Sequence, residues 1–323
     1  MKTLAIAFTA KGKAELVQVP EPAPLQTKQV RGRTLATLVS PGTELAGAYT
    51  VETFPAYIGY SAVFCAEEIG AEVTDVKVGD MLFAMGKHCS IQQHDAINTV
   101  PVPAGLPPHE AVITRLMGVS MTTLMTTKAR PGDIALVTGA GPVGYLAAQL
   151  FVNGGYDVRV MEPNAERLEA VKRSGIQKTY TAMPLEDSEI KGKVAIVVEC
   201  SGHEQAVIDG CKIVRKGGEV VMVGVPWKKR SDRPAFDVLH PVFHNYVTLR
   251  TGWEWEVPNH ADSFRPHSIY SGFRLGLSWL AAKKIPLNGL ITINAPADAQ
   301  SVYQGLLRGT SPGLFQVFDW TKI

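Results

Sequence analysis

The string Gly139-Ala140-Gly141-Pro142-Val143-Gly144 constrains this chain more than any other feature, because of what flanks it. It directly follows the apolar run Ile134-Ala135-Leu136-Val137-Thr138 and opens the helical run Tyr145 to Val152. A G-x-G-x-x-G string alone arises by chance, whereas one set between a strand and a helix marks a β-α-β unit that holds the pyrophosphate of a dinucleotide. Gly139 allows the tight turn, Gly141 lets backbone approach the phosphates, and Gly144 lets helix and strand pack closely. Pro142 and Val143 complete the loop at the helix N-terminus, whose free N–H groups and positive dipole end favour an anion.

The texture around the loop extends that unit into a sheet. Apolar runs at Ile134 to Thr138, Asp157 to Glu162, Lys178 to Thr181, Val194 to Cys200, Glu219 to Val225 and Val247 to Thr251 alternate with amphipathic stretches. Helices are signalled at Ala165 to Arg173, stopped by Gly175, and at Glu204 to Arg215, stopped by Gly217-Gly218. Six strands alternating with helices predict a complete doubly wound parallel sheet, the Rossmann α/β fold. Before it, up to about Pro103, short alternating runs are cut by Pro and Gly, as expected of a β-rich domain with long loops. After about Phe264, a long helix (Ile269 to Lys284) leads to a strand, a helix and a last strand ending in Phe315-Gln316-Val317-Phe318. The expected organisation is a β-rich domain over residues 1–110, the Rossmann domain over 111–260, and a return to the first domain over 261–323.

Composition excludes several classes of partner. Against 30 acidic side chains stand 32 basic ones, so no charge excess draws the chain to nucleic acid or an anionic membrane. The cluster Lys228-Lys229-Arg230 is short, is closed by Asp232, and reads as a solvated loop. Cys65, Cys89, Cys200 and Cys211 stand far apart with no C-x-x-C pair, and are expected to be reduced and mostly buried. Leu4 to Ala10 is too short for a secretory leader and is followed by the alternating Glu15-Leu16-Val17-Gln18-Val19, so a first hairpin and a cytoplasmic location are expected. No apolar run approaches the roughly 20 residues of a membrane-spanning helix.

Glu162 closes the second strand of the Rossmann unit. A carboxylate there accepts hydrogen bonds from the adenosine ribose hydroxyls and repels a 2′-phosphate, which favours NAD. Arg159 and Arg167 stand close by, so NADP stays open as the alternative.

Seven strings occur here in the order in which they occur in the zinc-type medium-chain dehydrogenase/reductase superfamily, which the chain resembles over nearly its whole length. They are Val19-Pro20-Glu21-Pro22, Val78-Gly79-Asp80-Met81-Leu82, Arg130-Pro131-Gly132-Asp133, the glycine loop, Glu199-Cys200-Ser201-Gly202, Val223-Gly224-Val225-Pro226 and Leu290-Ile291-Thr292. The resemblance implies a GroES-like first domain. It also places Cys200, Ser201, Val223, Gly224 and Val225 beside the ribose and nicotinamide of the cofactor. The apolar run Val247 to Thr251 falls at a sheet edge, which in that superfamily often pairs across a twofold axis, and a homodimer is expected.

The same resemblance locates a missing metal. Members hold catalytic zinc through a Cys in a C-G-T-D-like string, a His in a G-H-E string, and a later Cys or Asp. Here the corresponding strings read Pro41-Gly42-Thr43-Glu44, Gly59-Tyr60-Ser61 and Thr114-Arg115-Leu116-Met117. The four-cysteine structural-zinc lobe is absent as well, so no zinc is expected. Ser40-Pro41-Gly42-Thr43-Glu44 together with Gly59-Tyr60 resembles the zinc-less branch that includes bacteriochlorophyllide a dehydrogenase-like proteins.

Without a metal, a hydroxyl donor has to handle charge and proton on the substrate oxygen. Thr43 matches the superfamily's proton-relay position and Tyr60 replaces the histidine ligand; both are candidate catalytic residues, with Glu44 and, more weakly, Ser61 beside them. Two readings of Tyr60 stay open, a proton donor or a ring filling the volume a metal would take. Thr43 equally reads as a loop threonine bonding its own backbone, and Glu44 as a residue that orders the loop. Trp253 and Trp255, with His240, His244 and His260 nearby, line the substrate or pack in an interface. The leading expectation is a zinc-independent alcohol or polyol dehydrogenase acting on a small molecule. Its alternatives are an NAD(P)H-dependent enone or quinone reductase, and a dinucleotide-binding protein without turnover.

Overall fold

The computed structural model describes residues 2–49 and 54–323. Strands β1 (Thr3–Ala10) and β2 (Lys13–Val19) form the expected hairpin, with Ile6 opposite Leu16. They are followed by β3 (Gln29–Leu38), helix α1 (Pro41–Tyr49), β4 (Ala56–Tyr57), β5 (Ala62–Ile69), β6 (Met81–Ala84), β7 (Ile91–Asp95) and β8 (Thr99–Pro101). Two helices, α2 (Pro108–Ala111) and α3 (Thr114–Thr126), lead into β9 (Ile134–Thr138), α4 (Pro142–Asn153), β10 (Asp157–Met161), α5 (Ala165–Arg173) and β11 (Thr179–Tyr180). Then come β12 (Val194–Glu199), α6 (Glu204–Ile213), β13 (Val214–Met222), α7 (Phe236–His244) and β14 (Thr248–Thr251). The chain ends with α8 (Ile269–Ala281), β15 (Ile291–Asn294), α9 (Ala299–Arg308) and β16 (Phe315–Asp319).

Two compact units result, one running up to Arg115 and resuming at Phe273–Ile323, the other spanning Leu116–Gly272. The first is built on a sheet of order β15-β16-β3-β5-β6-β8, with β7 also paired to β3, and on a smaller sheet of order β2-β1-β4. The last strand joins this unit by pairing antiparallel with β3, Val317 opposite Leu38. Ile6, Phe8, Tyr303, Phe318 and Trp320 meet in its core, so residues from both ends of the chain share one apolar cluster.

The second unit is a six-stranded parallel sheet of order β11-β10-β9-β12-β13-β14, the doubly wound arrangement expected. Its centre follows from the sequence. Val194 to Glu199 is buried at every position, as a parallel strand covered on both faces must be. Local chemistry also sets α5: the Asn164 side chain accepts the Arg167 N–H at 3.0 Å, while Lys172 and Arg173 complement the last turn.

Several boundaries differ from expectation, each for a tertiary reason. Helix α6 stops at Ile213 rather than Arg215 because Val214 already pairs with Val194 in the sheet. Helix α8 stops at Ala281 rather than Lys284, and Lys283 adopts a left-handed φ of 55° just beyond. The second junction falls inside α8 rather than near residue 260, since the segment after β14 packs on the parallel-sheet unit. There Thr122 Oγ1 donates to the Glu254 carbonyl at 3.2 Å and Arg250 pairs with Glu256 at 2.9 Å. The edge strand β14 is more polar than expected, exposing Thr248 and Thr251 and anchoring Arg250 to Glu219. All four cysteines are free thiols, but only Cys211 is buried; Cys65, Cys89 and Cys200 are half-buried at strand or loop positions.

Candidate active site

The glycine loop has the geometry a pyrophosphate requires. Gly139 takes a φ of 83°, a region closed to most side chains, and turns the chain directly out of β9. A Cβ on Gly144 would lie 1.8 Å from the Gly139 carbonyl oxygen, so only glycine permits this contact between α4 and the loop. Gly141 caps α4 without any side chain bonding the helix N–H groups, and Pro142 opens the first turn, where its missing N–H is no loss. A Cβ added to Gly141 would find nothing nearer than Arg167 Nη1 at 3.8 Å, so the loop backbone is open to an approaching phosphate.

Glu162 is buried and is tied to the loop. Its carboxylate accepts the Ala140 N–H at 2.6 Å and the Asn164 N–H at 2.8 Å. Each oxygen keeps a further lone pair for a sugar hydroxyl. Of the two arginines that left NADP open, Arg159 is buried against Asp157 (3.2 Å) and the Tyr180 hydroxyl (3.3 Å), and is thereby committed to the fold. Arg167 alone of that pair reaches the loop.

The turns after β12 and β13 abut the loop. The buried Glu199 carboxylate accepts the Ser201 N–H at 2.6 Å and the Gly202 N–H at 3.0 Å, while its carbonyl accepts the N–H groups of Val223 (2.8 Å) and Gly224 (2.7 Å). Burial raises the Glu199 carboxyl above its usual range, and these hydrogen bonds pull it back down. A Cβ on Gly139 would meet Ser201 at 3.0 Å and one on Gly224 would meet the Gly202 nitrogen at 2.4 Å, so three strand-end turns pack together at the β9/β12 switch point. Ligands of open α/β sheets bind there. Cys200 and Ser201 are half-buried, Val223 is buried and Val225 is exposed. Trp253 and Trp255 are exposed, and His260 stacks on Tyr270.

In the other unit, a cluster of hydroxyls forms at the start of α1. The Tyr60 hydroxyl donates to Ser40 Oγ and is in hydrogen-bond contact with the Thr43 side chain. Burial pushes the Tyr60 phenol above its ordinary value; the Arg115 charge and the two hydroxyl contacts pull it back, and Glu44 adds to the rise. Arg115 is only 4% exposed, and its guanidinium carbon lies 4.5 Å from the centre of the Tyr60 ring. Ser40 is buried, whereas Thr43 is exposed.

Glu44, the third candidate, is held by partners of its own. Its carboxylate is buried, accepts the Ser40 N–H at 2.8 Å and the Tyr303 hydroxyl, and lies 3.2 Å from His88 Nε2. His88 Nδ1 in turn lies 2.7 Å from Thr37 Oγ1, which accepts the Trp320 indole N–H at 2.9 Å. With both oxygens engaged, Glu44 anchors the loop that carries Ser40 and Thr43. Ser61 is likewise occupied, donating to the Val112 carbonyl at 2.8 Å.

Comparison with known proteins bears on the fold and the family. Residues 142–254 match the family model described as zinc-binding dehydrogenase. The chain is 29% identical over 140 residues to a putative D-xylulose reductase of Agrobacterium fabrum, a match covering 41% of this chain and 40% of that protein. It is 29% identical over 302 residues to an L-threonine 3-dehydrogenase of Pyrococcus horikoshii, covering 78% of this chain and 85% of the relative. Galactitol-1-phosphate dehydrogenase of Escherichia coli superposes with a TM-score of 0.83 at 15% identity over 98% of this chain and 99% of that one, a likeness of fold.

These matches support a place for the chain in the medium-chain dehydrogenase/reductase superfamily.

At the positions where the superfamily holds catalytic zinc, the side chains gathered here are hydroxyls and a guanidinium. Arginine has no lone pair to offer a metal, and among the described residues no three His, Cys, Asp or Glu side chains come together. This donor set does not fit zinc. Three residues of the two sites stand inside the strings quoted above but were given no role there: Ser40, Arg115 and Glu199. Only Arg115 carried a signal, as a lone charge in the apolar run Ala111 to Met117.

Proposed function

We propose that this chain is a zinc-independent oxidoreductase of the zinc-less branch, working with a nicotinamide cofactor, NAD in preference to NADP, on a small polyol- or sugar-like alcohol or carbonyl compound. The observation that carries it is the Tyr60 phenol, bonded to Ser40 and Thr43 where other members place a metal. The relatives' names, putative D-xylulose reductase and L-threonine 3-dehydrogenase, are those of oxidoreductases of small hydroxylated compounds, and support that substrate class.

The cofactor, when bound, supplies or accepts the hydride. Gly139, Gly141, Pro142, Val143 and Gly144 would hold its pyrophosphate, Glu162 its adenosine ribose, and the turns at Cys200-Ser201 and Val223-Gly224-Val225 its nicotinamide half. Tyr60 keeps its proton through neutral pH because burial raises the phenol, and so it can give that proton to a substrate oxygen. Thr43, a separate hydroxyl partner of Tyr60, offers the second donor. A panel of polyols against a panel of enones and quinones, run with NAD(H), tests the substrate class. Turnover of enones alone would replace this reading by the double-bond reductase.

NADH should bind about tenfold more tightly than NADPH, because a 2′-phosphate would face the Glu162 carboxylate. Fluorescence titration of Glu162→Ala should bring the two affinities together, with some loss for both as the Ala140 N–H loses its acceptor. Tighter binding of NADPH by the unmodified protein would refute the preference.

We also place the protein in the cytoplasm as a homodimer. Among the described residues no helix is long and apolar enough to cross a membrane. Support for the dimer comes from α7, where Phe236, Leu239 and Phe243 are each more than 60% exposed at helical spacing, on a helix that packs against α6. Light scattering at micromolar concentration should report twice the 34.9 kDa of one chain; a monomer would contradict it.

A further inference from the structure

Arg115 stands where the superfamily's third metal-ligand neighbourhood lies, and its side chain is almost wholly buried. Its guanidinium carbon is 4.5 Å from the centre of the Tyr60 ring and 5.9 Å from that of Phe273. A buried guanidinium is costly, and aromatic faces offset only part of that cost. Against a neutral phenol the attraction is that of a cation for a ring quadrupole. Against a phenolate it becomes a full charge pair in a poorly solvated place.

We propose that Arg115 is a positioning residue for proton transfer, stabilising the phenolate that Tyr60 becomes when its proton passes to the substrate oxygen. The proposal rests on Tyr60 being the proton donor. In the step itself the Tyr60 Oη–H bond breaks, a new O–H bond forms on the substrate, and the electron pair stays on Oη. The carbon is reduced by the nicotinamide cofactor, and the phenolate regains a proton from water through Ser40 Oγ or Thr43 Oγ. A fixed cation thereby takes the electrostatic part that a metal plays in other members, acting through Tyr60 rather than on the substrate. The groups facing Tyr60 are Arg115, Ser40, Thr43 and Glu44, and of these only Arg115 favours the phenolate by charge.

The test places a fluorinated tyrosine, whose phenol titrates near neutrality, at position 60 of the full chain and follows it by fluorine NMR without substrate. Arg115→Met should raise its midpoint by about one pH unit or more, and Arg115→Lys, which keeps charge but not the planar guanidinium, by less than half of that. Turnover of the Met variant with natural Tyr60 should fall roughly tenfold or more, with partial rescue in the Lys variant. A folded Met variant with an unmoved midpoint would overturn the proposal. If the Met variant does not fold, Arg115→Gln and Arg115→Lys decide it by the same midpoints. The titration needs no turnover, so it judges the charge coupling separately from the role of Tyr60, which Tyr60→Phe judges by rate.

Discussion

Gly144→Ala should abolish dinucleotide binding and lower the stability of the parallel-sheet unit. The added methyl would sit 1.8 Å from the Gly139 carbonyl oxygen and 3.1 Å from Cys200 Cβ, distances that cannot be relieved by rotating a side chain, because the nearer atom is backbone. Either α4 lifts off β9 or the loop opens, and in both cases the turn at Gly139 loses its place beside Ser201. Overpacking of this kind costs about 3 kcal/mol. Gly141→Ala is the contrasting variant. Its methyl meets no atom closer than 3.8 Å, so stability should change by less than about 1 kcal/mol. NADH affinity should nevertheless fall, since the methyl occupies the face that the phosphates approach. Urea unfolding and NADH fluorescence titration of the two variants check the pair. Wild-type NADH affinity in Gly144→Ala would mean that the cofactor is not held at this loop.

The parallel sheet was legible for a physical reason. Strands buried on both faces read as unbroken apolar runs, and Val194 to Glu199 and Ile134 to Thr138 stand in the structure where the sequence places them. The glycine spacing added the loop. Less legible was whatever depends on partners far along the chain. Val214 reads as the end of a helix until its pairing with Val194 is seen. Glu44 reads as a candidate for proton chemistry until His88 and Tyr303, 44 and 259 residues away, are found around it. Nothing in the local sequence announces that network, because each member is an ordinary residue at its own position.

The hydroxyl cluster lies between these cases. Thr43 and Tyr60 were accessible through the superfamily strings, since a threonine and a tyrosine fill positions with known neighbours. Ser40 opens one of those strings but carried no role in it, although a serine before Pro41-Gly42 is a common helix cap. Arg115 looked like a gap in a ligand set. In the structure it is a buried cation on the Tyr60 ring, so the absence of a ligand and the presence of a charge are one feature.

We propose that a proton reaches the substrate oxygen from Tyr60, with Thr43 beside it, without the help of zinc. The most direct test is steady-state turnover of Tyr60→Phe, Thr43→Val and the double variant, in enzyme stripped of metal by a chelator, on a substrate found in the polyol panel. Both hydroxyls meet in one hydrogen-bonded unit, so removing either should lower kcat by about 10²–10³-fold. Removing both should cost far less than the product of the single losses. NADH affinity should stay within about twofold of the unmodified protein, because the phosphate loop lies in the other unit. Near-full turnover by Tyr60→Phe, or activity that vanishes with the chelator and returns with zinc, would contradict the account.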